Sequence, residues 1–153
     1  MHKNLFQVTV NAIFDNLEIL IPEYMKDPAE NTSSNGNVAV CIIDENGLVY
    51  GKMFGTNNAK LRETYTTAWT KASQVWLTGI KTFEYERMVF NEEIDSKAYG
   101  INVPDLIGWK GGQPITMKNG IKLSVGFSGF RGITDLEIMV KAFEKAEQEL
   151  LVL

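Results

Sequence analysis

Two of the chain's three Asn-Gly pairs, Asn46-Gly47 and Asn119-Gly120, restrict it more than any other feature. Each lies between apolar or β-branched runs, and both residue types tolerate the positive φ that a tight hairpin turn requires. Residues 38–44 with 48–54, and 114–117 with 120–129, are therefore expected to form two hairpins of similar design. Strands joined by such short turns run antiparallel, so a doubly wound parallel sheet is excluded.

Helical periodicity surrounds the hairpins. Phe6, Val10, Ile13, Leu17, Leu20 and Tyr24 recur every three or four residues and predict an amphipathic helix over 3–26, stopped by Asp27-Pro28. The polar run 30–37 is expected to be an exposed, mobile connection. A second long helix is predicted over 57–80, closed by Gly79, with Leu61, Tyr65, Ala68, Ala72 and Val75 in one stripe. Trp69 and Trp76 extend its apolar surface to a second face, which points to core packing or a subunit contact. Thr82 is expected to cap a short helix ending at Phe90, and 91–109, punctuated by Gly100, Pro104 and Gly108, reads as an irregular loop folded over the domain. Thr134-Asp135-Leu136-Glu137 fits a capping box, opening a last helix that buries Leu136, Val140, Phe143 and Leu150, with Met139 and Ala146 alongside. The order predicts one domain over 1–153, of the α/β (α+β type) class, with an antiparallel sheet flanked by helices.

Composition narrows the function. A net charge of −4 and a pI near 5.1, without any basic run, argue against a nucleic-acid partner. Cys41 is the sole cysteine and His2 the sole histidine, so a disulfide framework, a multi-cysteine zinc site and a histidine triad are excluded, and no metal site is expected. Cys41 falls mid-strand, where a small buried apolar residue is expected rather than a reactive thiolate. No signal peptide and no apolar run of membrane-spanning length is read, so no membrane partner and a cytoplasmic location are expected.

The stretch 111–135 holds the candidate site. Gly126-x-x-Gly129-x-x-Gly132 lies between strand and helix, but it is not the dinucleotide fingerprint, and Asp135 and Glu137 would repel a phosphate there. Its glycines suit close backbone packing or the wall of a cleft for a flat ligand. Lys71, Arg62 and Arg131 are expected on solvated surface. If they converge with Ser128 and Tyr99, they would suit a carboxylate-bearing ligand. Tyr65, Trp69, Trp109 and Phe130 belong either to the core or to an apolar cleft.

Five motifs, in order, carry a resemblance. Val38 to Gly47 is similar to a strand ending in Asp-x-x-Gly, and Lys52-Met53-Phe54-Gly55 to Arg-Met-Asp-Gly. Lys71-Ala72-Ser73-Gln74-Val75 resembles Lys-Ala-x-Thr-Ala, and Lys110-Gly111-Gly112-Gln113-Pro114-Ile115 resembles Pro-Gly-Gly-x-Pro-Ile. Gly126-Phe127-Ser128-Gly129 with Asp135 is similar to a Gly-x-Ser-Gly motif followed by an acid. Together they resemble the HbpS/GlcG family, which also forms the C-terminal domain of PduO-type cobalamin adenosyltransferases. Lys52, Phe54 and Gln74 depart from its pattern.

The resemblance implies a three-layer, profilin-like architecture and a homo-oligomer, a dimer or larger. It also implies binding of heme, a corrinoid or another planar, carboxylate-bearing molecule, with Tyr99 or Met53 as iron ligands in place of histidine. Lys71, Tyr65, Tyr99, Trp109, Gly111, Gly112, Ser128, Gly129 and Arg131 are the expected ligand-binding residues. A non-catalytic binding protein is the leading expectation. The alternatives are a small enzyme acting on an organic acid, with Lys71 or Arg131 as electrostatic stabiliser, and a structural assembly partner without ligand.

Overall fold

The computed structural model describes residues 2–102 and 106–151, with side chains from Leu5 onward. Pro104 and Val103 of the expected loop, and the side chain of His2, lie outside the described residues. The elements are α1 (His2–Tyr24), α2 (Pro28–Ser34), β1 (Val38–Asp44), β2 (Val49–Phe54), α3 (Asn58–Thr78), α4 (Thr82–Phe90), β3 (Gly112–Thr116), β4 (Lys122–Ser128) and α5 (Gly132–Leu150), with a 3-10 turn at Ser96–Tyr99.

Both of these Asn-Gly pairs lie at hairpin turns, but only the glycine of each takes positive φ, Gly47 at 84° and Gly120 at 88°. The loops are closed by the Asp44 N–H to the Leu48 carbonyl and the Met117 N–H to the Ile121 carbonyl. The hairpins join through their inner strands into one antiparallel sheet of order β2-β1-β4-β3. β1 is central and buried, because both faces of the sheet are covered. Val38, Val40 and Ile42 join Leu123, Val125 and Phe127 on the face packed by α1 and α5. Ala39, Cys41 and Ile43 point the other way, against Ala68 and Ala72 of α3. This is the three-layer α+β arrangement that the hairpins and helical stripes imply.

Small residues set the distance between α3 and the sheet. A Cβ on Gly126 would overlap the Ala68 carbonyl oxygen and come within 2.7 Å of the Ala72 nitrogen. Glycine is required there because two backbones touch.

The reading of 30–37 as an exposed mobile loop is corrected. Residues 28–34 form α2, with Asp27 as N-cap accepting from the Ala29 N–H at 2.9 Å and Pro28 in the first turn. Asp-Pro starts a helix as readily as it stops one, since a first-turn proline lacks only an N–H that would have no helical partner. Glu30, Ser34 and Asn37 of this segment are buried. The Asn37 amide oxygen accepts from the N–H groups of Thr56 and Asn57, at 3.1 and 3.0 Å, and so ties β1 to the start of α3.

The capping box does not form either. α5 begins at Gly132, and Thr134 and Asp135 lie inside its first turn, buried. Thr134 donates to Glu30, while Glu137 accepts from the Tyr24 hydroxyl. Thr82, likewise, is the first residue of α4 rather than its cap, and its hydroxyl donates to the Trp109 carbonyl at 2.6 Å.

Candidate functional site

Lys71 is not a surface charge. It is 1% exposed, on the sheet side of α3, and its Nζ donates to the carbonyls of Lys110 (2.9 Å) and Phe127 (2.8 Å) and to Asp135 Oδ2 (3.3 Å). The other Asp135 oxygen accepts from the Phe130 N–H at 2.9 Å. Burial pushes the Asp135 carboxyl up to about 7, against the pull of the Lys71 ammonium, and the same burial lowers Lys71.

Lys71 has two neighbours in a single task. Gln74 donates to the Ile107 carbonyl (2.9 Å) and accepts from its N–H (3.3 Å), and Thr82 holds Trp109. Three side chains on α3 and α4 thus satisfy the backbone of the segment returning to β3, which could not otherwise be buried without cost.

Gly111, Gly112, Gly126 and Gly129 are packed against protein and do not wall an open cleft. A Cβ on Gly111 would lie 2.7 Å from the Phe127 carbonyl oxygen and 3.0 Å from Lys71 Nζ. One on Gly112 would overlap Thr82, and one on Gly129 would approach Asn37 and Val38 at 2.7 Å. Ser128 closes β4 opposite Ala39, 9% exposed.

Arg131 turns away from this cluster. Its N–H and guanidinium engage buried Glu30, and its Nη2 lies 3.1 Å from Asp27. Tyr99 packs edge-on to Tyr85, with ring centroids 6.1 Å apart, and Trp109 is 70% exposed. Lys71, Gly111 and Asp135 are brought together; Tyr65, Tyr99, Trp109 and Arg131 stand elsewhere.

Tyr65 covers Gly51 of β2, where a Cβ would overlap its ring, and its hydroxyl lies 3.8 Å from Cys41 Sγ. Burial holds the phenol near 12 and the Cys41 thiol near 11, so neither ionises at neutral pH. Beside this ring, Met53, Asn58, Leu61, Arg62 and Thr66 line an open cleft of about 300 Å³ between β2 and α3. Arg62 has no carboxylate partner among the described residues. A thioether, a free guanidinium and an aromatic ring thus face one apolar cleft. Sequence reasoning named Met53, Tyr65 and Arg62 separately; only the β1–β2 register and the α3 docking bring them together.

A second groove of about 310 Å³ runs along the outer side of α3, lined by Trp69, Ser73, Gln74, Trp76, Leu77 and Ile101. Among the described residues, no three His, Cys, Asp or Glu side chains are grouped to hold a metal, and no helix is long and apolar enough to cross a membrane.

Solved structures share this arrangement. HbpS of Streptomyces reticuli, as a double mutant, superposes over 94% of this chain and 84% of its own, with a TM-score of 0.58 and 18% identity. PduOC, solved in complex with heme, covers 87% and 91% at 0.61 and 16% identity. The fold is that of HbpS and PduOC. A Klebsiella pneumoniae DUF336 protein, ORFY, matches at a TM-score of 0.61 and 16% identity, over 88% of both chains. By sequence, no family model and no curated protein matches. The resemblance drawn from the five motifs is met at the level of the HbpS/PduOC fold.

Proposed function

We propose that this protein is an oligomeric small-molecule-binding protein of the HbpS/GlcG type, for a planar, carboxylate-bearing ligand such as heme or a corrinoid. The observation that carries this reading is the cleft shared by Met53, Arg62 and Tyr65. Arg62 offers a forked cation for a ligand carboxylate, the Tyr65 ring and Leu61 offer apolar wall, and Met53 offers a thioether for iron. The Tyr65 phenol, un-ionised and turned to Cys41, does not supply an anionic oxygen. At about 300 Å³ the cleft is at the small end of ligand sites, so it takes one edge of a macrocycle and leaves the rest outside. Iron, when bound, would supply only a coordination point here; the chain's own groups orient the carboxylate and exclude water from the apolar edge. The notable fold neighbour in this respect is PduOC, whose structure is a heme complex.

Of the other expected residues, Lys71 supports this reading by fixing α3, which carries the cleft's guanidinium, against β4 and α5. Tyr99, Trp109 and Arg131 take no part in the cleft. Absorbance titration with hemin and with iron-free protoporphyrin tests the proposal. Saturable binding of both, with a Soret shift for hemin alone, is the expected result; no saturable binding of either would sink it.

A second reading, an assembly partner without ligand, is favoured by the closed packing around Lys71 and Gly111. An enzyme reading would need Lys71 or Arg131, and both are engaged with carboxylates.

A further inference from the structure

The outer edge of β2 is built to pair. In the first hairpin the Asp44 N–H donates to the Leu48 carbonyl at 3.0 Å, and the register then pairs Ile42 with Tyr50 and Val40 with Lys52. Antiparallel pairs alternate between bonded and non-bonded. Tyr50, Lys52 and Phe54 therefore turn their N–H and C=O groups toward β1, and Val49, Gly51 and Met53 turn theirs outward. Among the described residues no strand takes them. The other sheet edge is different. On β3, the Phe127 N–H bond to Gly111 places Gln113 and Ile115 inward and Pro114 outward, where proline blocks pairing. β2 has no proline or bulge, and Val49 and Met53 are 43% and 53% exposed.

We infer that β2 pairs with β2 of a second copy of this chain, antiparallel about a two-fold axis at Gly51, merging two sheets into one. In that register Gly51 faces its own copy and Val49 faces Met53, so every outward N–H and C=O of the three residues finds a partner. The side chains agree. Val49 meets Met53, both apolar and exposed in the single chain, and on the opposite face Lys52 meets the Tyr50 ring. A two-fold at Lys52 would set like charges directly opposite each other, which is unfavourable, and one at Tyr50 would leave Met53 unpaired. Gly51 brings no side chain of its own to the axis, and on the α3 face the Tyr65 ring that lies over it would stand beside its copy. The inference rests on the oligomeric part of the proposed function and assigns its surface; it also brings Val49 of the second copy to the Met53 rim of the cleft.

Light scattering on the eluting full chain tests it. Wild type is expected at twice 17.2 kDa or an even multiple. Val49→Lys with Met53→Lys sets lysine against lysine and is expected to halve that mass, with the circular-dichroism spectrum unchanged. Val49→Lys with Met53→Glu sets opposite charges across the axis and is expected to restore it. If the double-lysine variant does not fold, Met53→Glu alone, which sets a carboxylate against Val49, is expected to halve the mass. A folded double-lysine or Met53→Glu variant with wild-type mass would overturn the β2 interface while leaving the oligomer intact, as would failure of the opposite-charge pair to recover mass. A monomeric wild type would overturn the oligomeric reading as well.

Discussion

Lys71 and Asp135 stand 64 positions apart and meet at 3.3 Å, both side chains almost wholly buried. Their contact joins α3 to the first turn of α5, and the other two bonds of Lys71 add the ends of β4 and of the returning loop. A single ammonium thus ties together the layers of the fold.

Removing that cation while leaving its partners buried is costly. Lys71→Met is expected to lower the unfolding free energy by about 3–5 kcal/mol, because Asp135 and two carbonyls lose their donor. Urea denaturation measures it. Lys71→Met combined with Asp135→Asn should cost less than the sum of the two single changes, and strict additivity would mean that the pair does not interact.

The pair also sets a pH dependence. The Asp135 carboxyl is raised to about 7 in the folded protein, first by burial, with Lys71 and the Phe130 N–H pulling it down. A group that keeps its proton longer when folded contributes stability below its unfolded value and loses it as pH rises through the folded one. Wild type should therefore lose stability between about pH 4 and 7, by an amount on the order of a few kcal/mol at most. Asp135→Asn should flatten that slope. Lys71, lowered by burial, acts at the alkaline end: its contribution is present above its unfolded range and declines as pH falls toward its folded value. Melting temperature against pH for both proteins checks the sign.

Gly126→Ala tests the contact of helix and sheet. The added methyl would overlap the Ala68 carbonyl, and neither backbone can yield without moving α3. A loss of about 3 kcal/mol is expected; a change below about 0.5 kcal/mol would show that α3 slides freely on the sheet.

Glu30 is the hidden partner of the α5 N-terminus. Although it lies in a segment expected to be loose, it accepts from the Arg131 N–H and guanidinium and from Thr134. Glu30→Ala should cost about 1–3 kcal/mol, since it strands the buried Thr134 hydroxyl and the half-buried Arg131 N–H, whereas Glu23→Ala, in an exposed pair, should cost about 0–1 kcal/mol. Denaturant midpoints of the two variants should separate clearly.

The sheet and its helices were legible because hairpin turns and helical stripes are local signals. Asn46-Gly47 needs only its neighbours to be read, and so does the apolar face running from Phe6 to Leu20. Lys71 was misread for the opposite reason. Nothing within a turn of it shows that carbonyls 39 and 56 positions away will surround its ammonium. α2 was missed because Asp27-Pro28 carries both a stop and a start signal, and the buried role of Glu30 depends on Arg131 and Thr134, about a hundred residues later. The Met53–Arg62–Tyr65 cleft needs the register of β2 and the docking of α3 together, and neither exists in the sequence pattern alone.

The most direct test of the binding account is hemin titration of wild type beside Met53→Ala and Arg62→Ala. The account predicts saturable binding with a Soret shift in wild type, an altered Soret position in Met53→Ala as the thioether is lost, and binding weakened roughly tenfold or more in Arg62→Ala, the loss of one charge-assisted contact. Equal affinity and identical spectra in all three proteins would contradict it.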